Sequence, residues 1–305
     1  MTHTPSTPAR ATILGMNGSP TPYPALNEVL CYFVARAREL LADNFIGAYL
    51  QGSFALGGFD ERSDVDFLIA VNHDIPETAV PELNALHAFI HNFPKPWGHR
   101  LEGSYFPAPV LRCWTDVPRD PPETPSRPYT WVDPGTGGTS PRVYPLLFLD
   151  HGARVLVRSE HDNTRAVRWV TRERAIILMG PNPHDLIDEV SPEALRSEMR
   201  ETITRLAAKL LHDHSALSTH WMQAFVVVLY CRMLHTIERG VVTSKKSAAQ
   251  WAFATLDERW RSLIASSANA KPSVSLGPAD PQAVAETLAF VKYARQWASN
   301  AAMPA

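Results

Sequence analysis

The chain has 305 residues, 45% of them hydrophobic and 20% charged, which suits two compact domains with sizeable cores. Its 29 Lys and Arg against 31 Asp and Glu leave a formal charge of −2, which argues against a protein built to coat nucleic acid or acidic lipid. The three cysteines, Cys31, Cys113 and Cys231, form no CxxC pair or His/Cys cluster. Neither a disulfide framework nor a zinc site is expected, and each cysteine reads as a small buried apolar residue in a reducing cytosol.

Residues 1–23 are rich in Thr, Pro and Ser and read as a flexible lead-in. The opening MTHTPSTPAR has no charged segment followed by an apolar one, and apolar runs such as Phe225–Tyr230 fall far short of the ~20 residues that span a bilayer. A cytoplasmic protein with no membrane partner is therefore expected. From Pro24, Leu26, Val29, Leu30, Phe33, Val34, Ala37, Leu40 and Leu41 recur at spacings of three and four, predicting a helix that Asp43–Asn44 ends. Runs at Ile46–Leu50 and Val65–Val71 read as strands, 78–91 as a helix, Leu101–Phe106 as a third strand and Val110–Trp114 as a fourth. Together they predict a small α/β domain over 24–114.

Residues 115–145 then carry eight prolines together with Gly135, Gly137 and Gly138. That density predicts an irregular connection over 115–160, either a plain surface loop or a binding loop. From about Thr164 the pattern is mostly helical. Ser191-Pro192-Glu193 reads as a capped helix start, Gly240 as a helix stop, Ser244 and Asp280-Pro281 as two further starts. An all-α bundle over 161–305 is expected.

The informative segment is Gly52-Ser53-Phe54-Ala55-Leu56-Gly57-Gly58-Phe59-Asp60-Glu61-Arg62-Ser63-Asp64-Val65-Asp66-Phe67. Asp64 and Asp66 sit two apart at the head of an apolar strand, which places both carboxylates on one face. Like charges side by side there are costly, and a divalent cation removes the cost. Two carboxylates plus substrate phosphates are the ligands Mg²⁺ prefers. Gly52-Ser53 ends a strand and opens a helical turn, so free backbone N–H groups and the Ser53 hydroxyl can cradle phosphate, with Ser63 as a further donor. Lys245, in the first turn of a helix, opposes the helix dipole unless a polyanion lies near, so it reads as a triphosphate contact. Arg232 reads either as its assistant or as an ion pair to a neighbouring helix.

Gly52-Ser53 followed by Asp64-Val65-Asp66 resembles the signature of the DNA polymerase β-type nucleotidyltransferase superfamily. Within it, the chain resembles the aminoglycoside adenylyltransferases of the streptomycin/spectinomycin kind over roughly residues 25–300, apart from the proline-rich stretch. Leu101-Glu102 stands where that family keeps a third carboxylate. Val226 to Arg232, Gly240-Val241-Val242-Thr243-Ser244-Lys245, Ala248-Ala249 and Trp251 are similar to the bundle segment that closes on the nucleotide. The resemblance implies an α+β nucleotidyltransferase domain, a small mixed sheet with flanking helices, followed by an all-α helical bundle.

It implies an Mg²⁺-dependent transfer of AMP from ATP to a hydroxyl of a small acceptor, possibly an aminoglycoside, with pyrophosphate released. In that reading Asp64 and Asp66 hold the metal. Gly52, Ser53, Ser63, Arg232 and Lys245 hold the nucleotide. Glu102, beside the paired aspartates, takes the proton of the attacking hydroxyl or serves as a third metal ligand. His161-Asp162-Asn163 falls near an acidic acceptor contact of the family, with Asn163 in the place of the carboxylate and Asp162 able to substitute. Trp131 and Trp169 read as stacking surfaces or as ordinary packing. Two other readings remain: a nucleotidyltransferase for another metabolite or a protein side chain, and a non-catalytic nucleotide-binding module.

Overall fold

A computed structural model of the protein describes residues 19–93, 97–114, 129–132, 139–142, 146–270 and 280–301. Its contacts divide the chain into two compact units, each assembled from separated segments. The first holds the described residues of Met1–Phe54, Glu61–Asn163 and Ala175–Ile187. The second holds Ala55–Asp60, Thr164–Arg174 and the described residues of Asp188–Ala305. Among the described residues, no helix is long and apolar enough to cross a membrane.

In the first unit, α1 (Pro24–Leu41) starts on a proline and buries the stripe Leu26, Val29, Leu30, Phe33, Val34, Ala37 and Leu41. It leads to β1 (Phe45–Leu50), the single turn α2 (Gly52–Ala55), β2 (Val65–Val71), α3 (Val80–His91), β3 (Leu101–Pro107) and α4 (Ala108–Arg112). Among the described residues, β4 (Tyr129–Val132) and β5 (Thr139–Arg142) pair only with each other. β6 (Leu146–Leu149), β7 (Val157–Ser159) and β8 (Ile176–Met179) return to the main sheet, whose order is β7-β6-β3-β2-β1-β8. Only β2 and β3 run parallel, joined through α3; the other neighbours are antiparallel, so the sheet is mixed.

The second unit comprises α5 (Arg165–Arg174), α7 (Pro192–His212), α8 (His220–Arg239), α9 (Lys245–Thr255), α10 (Arg261–Ala268) and α11 (Pro281–Asn300), while the short α6 (Pro183–Leu186) belongs to the first. Its core is apolar: Val227, Tyr230 and Leu234 of α8 pack with Ala248 and Ala252 of α9, Ile264 of α10, and Phe290 and Ala294 of α11. The caps read in the sequence are formed. Ser191 Oγ accepts from the Ala194 N–H, Ser244 Oγ from the Ser247 N–H and Asp280 Oδ1 from the Gln282 N–H, and α8 ends at Gly240 with φ 68°.

Several sequence expectations are corrected. Residues 110–114 do not form a strand: Pro109 sits in the first turn of α4, a place where proline favours a helix, and Val110 and Leu111 follow it. Cys113, just past that helix, is exposed rather than buried, Cys31 is half-buried, and only Cys231 is buried. The first unit does not end at Trp114 but continues to Ile187, because β6, β7 and β8 complete its sheet. Residues 176–179, within a stretch expected to be helical, form the edge strand β8. The proline-rich connection contains a two-stranded pair, and Pro141 is tolerated there because neither strand has a second neighbour. The side chain of Trp131 lies outside the described residues.

Strand alternation gives the sheet two characters. Phe67 of β2 and Tyr105 of β3 face the helices, where Phe67 meets Phe33 of α1 at 4.9 Å and His87 of α3 at 5.7 Å between ring centroids. His87 is 2% exposed and its Nε2 lies 2.9 Å from the Tyr105 hydroxyl. Burial pushes the His87 imidazole down to about 3 from an ordinary 6.5. The unfolded chain therefore takes up a proton below about pH 6.5 that the folded chain refuses, and stability is lost as pH falls toward 3. Urea titrations across that range should show the loss, and His87→Gln, which keeps a partner for Tyr105 but does not titrate, should flatten it.

Candidate active site

The face of the sheet opposite α1 and α3 carries the polar residues. β2 and β3 are in register with Asp66 opposite Glu102 and Leu68 opposite Ser104, so these side chains share that face. Asp64 stands one residue before β2 and two before Asp66, which returns it to the same side. β6 pairs Phe148 with Ser104, placing its ring on this face too. The apolar layer on the other side supplies the core, which frees this face for carboxylates.

Gly52 lies where β1 turns into α2, at φ 55°, and a Cβ there would come within 1.9 Å of Asp66 Oδ2. Only glycine lets the turn pass this close to the carboxylate. The Ser53 N–H then donates to Asp66 Oδ2 at 3.4 Å. The Ser53 hydroxyl is buried and has no hydrogen-bond partner among the described residues, an orphan that a phosphate oxygen would satisfy. Ser63, half-buried, occupies the turn immediately before Asp64.

The acids crowd. Burial first, then Asp66, Asp64, Asp162 and Asp150, push the Glu102 carboxyl up to about 8. Asp162, 8% exposed, accepts from Ser104 Oγ at 2.7 Å, and desolvation still raises its carboxyl above the usual range. Two imidazoles stand beside the group: His151 Nδ1 is 2.8 Å from Asp64 Oδ1, and His161 Nε2 is 3.8 Å from Glu102 Oε1, with the His161 ring stacked on Phe148. One donor atom each from Asp64, Glu102 and His151 lie within 4.8 Å of one another, a set chemically suited to a divalent cation. Asp66 stands outside that triad with its carboxylate turned to the Gly52-Ser53 turn.

Arg232 and Lys245 belong to the second unit. Lys245 opens α9, is exposed, and holds its ammonium 5.7 Å from the Phe225 ring centroid. Arg232 Nε donates to the Thr243 carbonyl at 3.3 Å, tying α8 to the approach of α9. The middle of the signature, residues 55–60, packs in this unit as well. A Cβ on Gly58 would meet the Ser244 Cβ at 2.6 Å, so the loop is seated on the cap of the helix that Lys245 begins. Trp169 is buried with Val170 and Leu195, which makes it packing rather than a stacking surface.

Sequence reasoning missed His151. Its only local sign is an Asp-His-Gly turn after an apolar strand, and such turns are common. Asp162 was noticed for its acceptor role, but its buried bond to Ser104, 58 positions away in the chain, has no local sign.

Residues 185–296 match the family model described as the aminoglycoside adenylyltransferase C-terminal domain. Spectinomycin 9-adenylyltransferases from the Mu50 and N315 strains of Staphylococcus aureus are each 23% identical to the chain over 227 residues, 74% of this chain and 78% of theirs. The crystal structure of spectinomycin adenyltransferase AAD(9) from Enterococcus faecialis with ATP and spectinomycin aligns at a TM-score of 0.59 and 13% identity, covering 90% of this chain and 99% of that one. The fold is thus shared over most of the chain, and Asp66 and Glu102 of the signature region stand on one face of the sheet. The chain is similar over most of its length to aminoglycoside adenylyltransferases, and residues 185–296 match the model of that family's C-terminal domain.

Proposed function

We propose that the protein transfers AMP from ATP to a hydroxyl of an aminoglycoside-like small molecule and releases pyrophosphate, with Mg²⁺ as cofactor. The observation that carries this reading is the grouping of Asp64, Asp66 and Glu102 on one sheet face beside a buried, unpartnered Ser53 hydroxyl. The relatives named above support adenylyl transfer to an aminocyclitol, and a reaction that draws on ATP fits a cytoplasmic protein.

Asp64 and Asp66 would hold the cation, which when bound neutralises charge on the nucleotide phosphates. Ser53, with Ser63 nearby, orients the phosphate chain by hydrogen bonding, and Lys245 and Arg232 are assigned the positive charge that meets the triphosphate. Glu102, with its carboxyl raised to about 8, is matched to accepting a proton near neutral pH. The acceptor oxygen gives its proton to Glu102 and bonds to the α-phosphorus, the bond from that phosphorus to the bridging oxygen breaks, and pyrophosphate leaves. Asp162 and Asp150 contribute to an acidic surround that favours a cationic acceptor.

A second acceptor class has one observation in its favour. Asn163 stands where the family keeps a carboxylate, and its amide donates to Glu160 Oε2 at 2.6 Å rather than adding charge. Incubating labelled ATP with cell lysate tests this: label on a protein band would replace the small-molecule reading.

Purified protein with Mg·ATP should release pyrophosphate only when an acceptor is added, and a panel containing spectinomycin and streptomycin is the direct trial. No turnover on that panel would remove the aminocyclitol assignment. Glu102→Gln should lower kcat by roughly 10²–10⁴-fold with little change in ATP binding, measured by pyrophosphate release and calorimetry. Gly52→Ala should impair both, because its methyl group is driven into the Asp66 carboxylate.

A further inference from the structure

His151 has no role in the reaction described above, and nothing in the packing accounts for its position. Its side chain is 49% exposed, so burial does not hold it, and a hydrogen bond from an exposed imidazole to a carboxylate adds little to stability. Its placement is nevertheless defined by the backbone. β6 runs antiparallel to β3 with Leu149 opposite Gly103, so the chain leaving β6 passes the Glu102 end of β3. There the Ala153 N–H donates to the Asp150 carbonyl at 2.9 Å, closing a four-residue turn. The Asp150 side chain accepts the His151 N–H at 2.9 Å, fixing the residue from below. The turn aims Nδ1 at Asp64 Oδ1, 2.8 Å away.

That spacing fits more than a hydrogen bond. Two donors on adjacent corners of an octahedral cation at about 2.1 Å from the metal lie about 3 Å apart. Glu102 supplies the third donor of the triad within 4.8 Å. Because a carboxylate has two oxygens, one can face the cation while the other remains for the acceptor hydroxyl.

We propose that His151 is a nitrogen ligand of the divalent cation held at Asp64, so that this site binds Mn²⁺ in preference to Mg²⁺. The inference rests on the nucleotidyltransferase reading, and it changes which metal that reading should favour. Mg²⁺ takes hard oxygen donors, whereas imidazole raises affinity for the later divalent metals. An Asp/Glu/His set therefore shifts selectivity away from the all-oxygen case.

The test is direct binding of Mn²⁺ to the full-length protein at fixed pH, followed by electron paramagnetic resonance, alone and in competition with Mg²⁺. His151→Ala should weaken Mn²⁺ binding by about tenfold or more, the scale on which metal sites respond even to loss of a supporting group, while Mg²⁺ binding changes much less. Pulsed measurements on bound Mn²⁺ should show coupling to an imidazole nitrogen in the wild type and not in His151→Ala. His151→Gln, which keeps a polar side chain, should resemble His151→Ala in both respects. Equal losses for Mn²⁺ and Mg²⁺, no loss for either, or no nitrogen coupling would each overturn the proposal. Asp64→Asn separates the two levels: if it abolishes Mn²⁺ binding while His151→Ala does not alter it, the cation site stands without the histidine. If neither matters, the cation reading itself fails.

Discussion

Crowded carboxylates on the β2–β3 pair are the constraint around which the rest of the first unit is arranged. Burial makes the negative charge of Glu102 expensive there, and Asp66, Asp64, Asp162 and Asp150 add to that cost. The molecule answers with local partners. The Ser53 N–H faces Asp66, Ser104 faces Asp162, and imidazoles face Asp64 and Glu102. What these do not neutralise raises the Glu102 carboxyl to about 8.

Such a face survives because the sheet is strengthened from behind. Phe33, Phe67, His87 and Tyr105 interlock between the sheet and α1 and α3, and the odd-numbered residues of β2 and β3 bury almost completely. Alternation along the strands separates the two faces: Phe67 and Tyr105 pack on the helices, while Asp66 and Glu102 stand on the other side. Exchanging a single residue of register would bury the acids and expose the aromatic core. The parallel pairing of β2 with β3, joined through α3, is therefore as necessary to the site as the acids themselves.

The second unit solves a different problem, that of starting helices at defined points. Side chains of Ser191, Thr219, Ser244 and Asp280 each accept a backbone N–H at a helix start, and Ser244 also seats the Gly57-Gly58 loop of the signature. Lys245 begins the helix that this cap starts, and its ammonium lies over the Phe225 ring.

Much of this was legible in the sequence, wherever the deciding interactions are local. Helix periodicity, caps, the Gly52-Ser53 turn and the Asp64-Val65-Asp66 alternation are each settled by residues within a few positions of one another, and the structure has them where they were read. The errors share one cause. Val110–Trp114 and Ile176–Met179 are short apolar runs that suit strand or helix equally, and their neighbours in space decided the outcome: proline in the first turn for α4, the free edge of β1 for β8. The sequence by itself determined the two-part architecture, the helix ends and the alternation that sets Asp64 and Asp66 on one face. Only the tertiary structure decided that β6 to β8 join the first unit, that Asp162 bonds to Ser104, and that His151 meets Asp64, because those pairings join residues that are neighbours in the sheet but distant along the chain.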